Sequence, residues 1–240
     1  MFDGRGRRTA VLLLVPSVVA GASIAGCTSS SSSPSHTGDA ALSAKAAAGA
    51  FSAAKLRGAL LSRVNGVGAA APVASGGFSS LSAADKGEQA AGDHKATPKD
   101  CAQATQTGLD STLLAASPAA AVTFKIDANG VSEVLVSSPD SADASALAAR
   151  PPASCAHFKE TVGGRTLTYT VTDSALAGIG KQARVLNVQS SAGAADDLWS
   201  LVYRGKGFVG AVTVIGPNAS LAAVRELGEQ AYTYADKSLS

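Results

Sequence analysis

This chain is poor in the side chains that carry acid–base and metal chemistry. It has three histidines and three cysteines in 240 residues. His36 lies in a serine-rich tract and His94 in a polar stretch, which leaves His157 as the histidine among structured segments. One imidazole cannot build a histidine-rich zinc site. A Ser-His-Asp arrangement would have to use His157, and no G-x-S-x-G elbow occurs in the sequence. Aromatic residues are sparse at 5%, with a single tryptophan. An apolar run long enough to cross a bilayer is lacking as well. Ala10 to Ala25 covers about 16 residues, broken by Pro16 and Ser17, against the roughly 20 that a spanning helix needs.

What that run does fit is a signal peptide. Arg5, Arg7 and Arg8 precede it as a positive n-region. It ends in Ser23-Ile24-Ala25-Gly26-Cys27, a branched apolar residue three before a cysteine and then two small ones. This resembles the lipobox of bacterial lipoproteins, and the resemblance implies that Cys27 becomes the lipidated first residue of the mature chain. Ala20-Gly21-Ala22 also fits the A-x-A pattern of ordinary secretory cleavage. Arg7-Arg8 leaves the export route open between general secretion and the twin-arginine pathway.

Loss of residues 1–26 removes three of 20 basic residues (Arg5, Arg7, Arg8) and one of 18 acidic ones (Asp3), leaving 17 of each. The mature chain is formally neutral. Global charge therefore gives no reason to expect nucleic-acid binding.

Once Cys27 is assigned to lipid, Cys101 and Cys155 remain. Two thiols in an oxidising compartment are expected to form a disulfide. Two buried free thiols, or a reactive cysteine near His157, are the alternatives. Neighbours two apart on a helix point different ways, which disfavours the second.

After Cys27, Ser29 to Ser33 is an unbroken serine run followed by Pro34, Ser35 and Gly38. With no apolar side chains to bury, it reads as a disordered tether. Ala40 to Val64 is alanine-rich with helical propensity. Leu56, Leu60 and Val64 share one face of that helix. Gly66-Val67-Gly68-Ala69-Ala70-Ala71 satisfies G-x-G-x-x-A, but the dinucleotide fingerprint needs a strand before it and a helix after. Here a helical segment precedes and Pro72 follows, so the stretch reads as a loop.

Pro98 opens a short helix carrying Cys101. Val122, Phe124 and Ile126 alternate with polar residues as a half-buried strand, and Asn129-Gly130 signals a type I′ turn into Val131 to Ser137. Asp140 to Ala149 and Pro151 to Phe158 read as helices, the second carrying Cys155 and His157. Leu167, Tyr169 and Val171 alternate with threonines in a further strand. Arg184 to Gln189 is a shorter one, and Leu198 to Tyr203 with Phe208 to Ile215 form a last hairpin around Gly205-Lys206-Gly207.

Asn218-Ala219-Ser220 matches a glycosylation sequon, but the serine suits an N-cap. The closing helix would turn Leu221, Val224, Leu227 and Ala231 inward and Arg225, Glu226 and Glu229 outward. The sum is an α+β fold, a mainly antiparallel twisted sheet flanked by helices on one side. The threonine-rich alternate positions predict that the other side is partly wet. The organisation is a signal peptide over 1–26, a Ser/Ala-rich tether over 27–48 and a single domain over 49–240.

Taken in order, these segments resemble a family. They are Lys55 to Leu61, Asp100-Cys101-Ala102, the strand pair from Ala121 and Val134, Cys155-Ala156-His157-Phe158, Leu201-Val202-Tyr203-Arg204, Val209 to Ile215 and the closing helix. Their succession is similar to actinobacterial lipoproteins with a PknH-like extracellular sensor domain. The resemblance implies a twisted sheet flanked by helices, with a cleft for an unidentified ligand. It covers roughly residues 50–238 and carries over no cleft residue. The kinase sensor domain has two disulfides, whereas this chain has cysteines for one.

The functional expectation is a lipid-anchored domain on the extracytoplasmic face of the cell membrane. It would bind a small envelope ligand or a surface protein without catalysis, cofactor or metal. A cell-envelope hydrolase and a structural accessory of a surface complex are the alternatives. Tyr169, Trp199, Tyr203, Tyr232 and Tyr234 are candidates to line a cleft, with packing in the core as the competing role.

Overall fold

The computed structural model describes residues 50–81, 95–103, 109, 111–138, 147, 150–162 and 164–240. Its strands are β1 (Arg63–Val64), β2 (Val67–Gly68), β3 (Ala74–Gly77), β4 (Lys95–Thr97), β5 (Pro118–Ile126), β6 (Asn129–Ser137), β7 (His157–Val162), β8 (Arg165–Leu176), β9 (Gln182–Ser190), β10 (Leu198–Arg204) and β11 (Phe208–Ile215). Helices are α1 (Ala53–Gly58), α2 (Ser111–Leu114) and α3 (Leu221–Leu239). Among the described residues, nine strands form one sheet in the order β3-β5-β6-β11-β10-β9-β8-β7-β4. Every neighbouring pair in it is antiparallel. The fold is the expected α+β class.

The chain does not fill this sheet from one side to the other. After the β5–β6 hairpin it jumps to the far edge, lays down β7, and meanders back until β11 pairs with β6. Cys101 follows edge strand β4 and Cys155 precedes β7, and the two are bonded across 54 residues. The crosslink thus closes a loop that contains the whole β5–β6 hairpin.

Strand alternation divides the core. On one face, Phe124, Leu135, Val185, Leu201 and Tyr203 pack beneath α1 and α3 with Leu56, Val224 and Ala231. On the opposite face, Ala119, Val136, Val202 and Val209 pack with Phe78, Leu114 and Leu147. Further along that face, Phe158, Leu186 and Val188 surround the disulfide. A buried polar strip joins the last two groups: Thr213 donates to Ser200 at 3.0 Å, and Arg184 pairs with Asp173. The sheet is therefore covered on both faces at its centre, contrary to the one-sided covering expected. The wet surface is a lateral half of the helix-bearing face.

Other local expectations shift. Leu56, Leu60 and Val64 are all buried, but the helix ends at Gly58 and Val64 belongs to a small hairpin turned by Asn65 and Gly66 at φ 50° and 81°. The glycine–alanine stretch starting at Gly66 is thus partly strand, and no dinucleotide-type helix follows it. The β5–β6 turn lies at Asp127 and Ala128, because Ile126 pairs with Asn129. Asn129 is instead a buried strand residue whose Oδ1 accepts the Asn218 N–H at 3.0 Å. His157 sits on strand β7, not on a helix, since residues 157–162 pair with β8. Ser220 caps α3 by accepting the Ala223 N–H at 3.2 Å, while Leu221, expected inward, is exposed.

Candidate functional site

The β10–β11 turn is built by Gly205-Lys206-Gly207, with the Gly205 N–H donating to the Phe208 carbonyl at 2.9 Å. Gly207 has φ 78°, and a Cβ there would collide with Ala50. Glycine is required both for the left-handed backbone and for this approach. The Phe51 N–H donates to Ser137 Oγ at 2.8 Å, which fixes the segment leading into α1 against the end of β6. The Phe51 ring meets Phe208 edge-on, centroids 6.5 Å apart, and Lys55 Nζ lies 5.1 Å from the Phe51 centroid.

Between this turn, Phe51 and the C-terminal turn of α3 lies a pocket of about 430 Å³. Phe51, Phe208 and Leu239 form its apolar wall, with Lys206 and Asp236 supplying charge. Its volume falls in the range of small-ligand pockets, about 300–1,000 Å³. Tyr232 stands one helical turn before Asp236 on α3. The Tyr232 pKa is raised by partial burial first and then by the Asp236 charge. Carbonyls at the C-terminus of α3 add partial negative charge on the same side. The pocket thus offers an apolar body, one cationic lip and one anionic lip.

The chain is similar to the extracellular domain of PknH. That Mycobacterium tuberculosis structure has 11% identity, with a TM-score of 0.44, over 61% of this chain and 77% of that one. A putative uncharacterized protein from Mycobacterium smegmatis, the Rv0999 ortholog, has 17% identity and a TM-score of 0.32, over 61% of this chain and 75% of its own. No family model matches the chain. No curated protein matches it either.

The aromatic candidates do not line the pocket. Tyr203 is fully buried and packs edge-on against Tyr232 and Phe208. Tyr169 stacks on Phe158 at 5.1 Å near the disulfide, Trp199 packs beside the core, and Tyr234 is exposed on α3. Phe51 and Phe208 do line it, and neither stands out from other core hydrophobes in the sequence. The signal available was Gly205-Lys206-Gly207, which allows two backbones to approach.

Cys101 and Cys155 are joined with sulfurs 2.05 Å apart. The Asp100 carboxylate lies within 4.8 Å of both sulfurs, but a disulfide presents no thiolate pair to a metal. His157 Nδ1 lies 3.3 Å from Thr170 Oγ1 on an exposed part of the sheet, away from the pocket. Cys27, the tether and the signal segment lie outside the described residues. Among those described, no helix is long and apolar enough to cross a membrane.

Proposed function

We propose that this chain is an extracytoplasmic lipoprotein, anchored through lipid on Cys27, whose domain holds a small amphiphile without turning it over. The observation that carries the reading is the pocket bounded by Phe51, Phe208 and Leu239, with Lys206 and Asp236 at its lips. An apolar wall with one ammonium and one carboxylate suits a ligand with an apolar tail and a zwitterionic head. The Cys101–Cys155 bond supports an oxidising compartment, and the lipobox at Cys27 supplies the anchor.

Two experiments test this. Metabolic labelling with palmitate should mark the wild-type chain and not Cys27→Ala; equal labelling of both removes the anchor from the proposal. Titration calorimetry of the full chain with dodecylphosphocholine, below its micelle concentration, should show saturable binding. Lys206→Glu and Asp236→Asn should each weaken it severalfold. Absence of saturable binding, or binding unchanged in both variants, overturns the pocket reading. Turnover of a cell-envelope substrate by the purified chain would favour the hydrolase alternative.

A further inference from the structure

Among the described residues, the helix-bearing face of the sheet is only partly covered. α3 contacts β10 and β11, and α1 contacts β5 and β6. The same face of β8, β7 and β4 carries an ordered set of exposed and half-buried polar residues. Thr166, Thr168, Thr170 and Thr172 alternate along β8 with the residues that turn to the disulfide side, such as Val171. The register sets His157, Lys159 and Thr161 of β7 opposite Thr170, Thr168 and Thr166. Lys95 of β4 stands opposite Thr161. On the other side, Thr172 faces Asn187, which in turn faces the half-buried Trp199.

From β10 to β4 this surface is roughly 20 Å wide, at about 4.8 Å per strand. Among the described residues of β4, β7 and β8, the lysines on this face are Lys95 and Lys159. The acids of β7 and β8, Glu160 and Asp173, fall on the opposite alternation, where both are buried or nearly so and Asp173 pairs with Arg184. The two lysines are therefore set among threonine hydroxyls, with a tryptophan at the inner margin. The hydroxyls sit close enough to pair across strands: Thr161 Oγ1 lies 3.1 Å from Thr166 Oγ1.

We infer that this face binds an acidic polysaccharide. Threonine hydroxyls both donate and accept, matching a polyhydroxylated ligand. The lysines supply the complement to spaced carboxylates, and Trp199 provides a stacking edge. The cation density argues against the other polyanionic partners. An anionic lipid surface is read by clusters of about four to eight basic residues, and single-stranded nucleic acid by a continuous basic groove with several aromatic platforms. This inference is independent of the pocket.

Affinity electrophoresis of the full chain in detergent, through gels containing polygalacturonate, tests it. The wild type should be retarded by polygalacturonate, less so as salt is raised, and not by neutral dextran. Lys159→Glu with Thr168→Ala should raise the apparent Kd at least tenfold. The same charge change at exposed Lys125, on β5 at the far side of the sheet, should leave it unaltered. No retardation by polygalacturonate, equal retardation by dextran, or an unchanged Kd in the double variant overturns the inference. So does stronger retention of the wild type by phosphatidylglycerol vesicles than by polygalacturonate, which would make this a membrane-docking face.

Discussion

The Leu61 N–H donates to Glu133 Oε2 at 2.8 Å, joining two residues 72 positions apart. Glu133 lies at the middle of β6, buried, opposite Val122 on β5 and Val212 on β11. Its other oxygen, Oε1, has no hydrogen-bond partner among the described residues. The carboxyl group thus holds the chain just after α1 onto the sheet from a buried position.

That placement makes stability depend on pH. Burial pushes the Glu133 pKa from 4.5 up to about 7, with the Leu61 hydrogen bond pulling the other way. The folded state therefore binds more protons than the unfolded state between these values. The stabilising contribution is fully present below about pH 4.5 and is lost as pH rises through 7. At 1.36 kcal/mol per unit the total is about 3 kcal/mol. Glu133→Gln keeps an acceptor for Leu61 and removes the titration. Urea unfolding from pH 4.5 to 8 should show the variant gaining on the wild type as pH rises. Parallel pH curves for the two proteins would refute this role for Glu133.

Tyr203 and Gly210 are directly paired across β10 and β11, and the phenol ring lies over the glycine. A Cβ at Gly210 would overlap that ring. Gly210→Ala should cost about 1–3 kcal/mol through overpacking. In a Tyr203→Leu background the extra cost should shrink. Strict additivity of the two changes in a double-mutant cycle would show that the ring is not the obstacle.

The Cys101–Cys155 bond closes a loop of 54 residues. The chain-entropy relation assigns such a closure about 4 kcal/mol as an upper-side figure. Replacing both cysteines by serine should therefore lower unfolding free energy by about 2–4 kcal/mol. The variant should keep the β-rich circular dichroism spectrum below its transition. A midpoint in urea equal to that of the oxidised wild type would contradict this prediction.

Ser220 accepts the Ala223 N–H at the start of α3. Ser220→Ala should destabilise by about 1 kcal/mol, and Ser220→Asp should retain most of the cap. Thermal melts of the three proteins check the order. An alanine variant as stable as the wild type would mean that the cap contributes nothing here.

Elements with a local signal were legible in the sequence. Val122 and Phe124 alternate as buried strand positions with exposed Thr123 and Lys125. The Gly205-Lys206-Gly207 turn and the serine cap stand where their chemistry places them. Segments whose state depends on distant neighbours differ from their local pattern. Residues 157–162 form a strand because β8 supplies their hydrogen bonds. Asn129-Gly130 carries a turn signature, yet pairing of Ile126 with Asn129 puts the turn at Asp127 and Ala128.

The pocket was still less legible. Phe51 and Leu239 come from opposite ends of the domain and meet only because α3 lies over β10 and β11 with its last turn beside the β10–β11 loop.

By itself the sequence determined the class of fold and the pairing expected of Cys101 with Cys155. These follow from composition and from short-range periodicity, which every residue carries locally. Only the tertiary structure decided that Glu133 is buried, that Lys206 and Asp236 face one pocket, and that the β8 threonines share an open face with Lys159. Those properties depend on strand register and on which helix covers which half of the sheet, and side chains far apart in sequence decide both by packing.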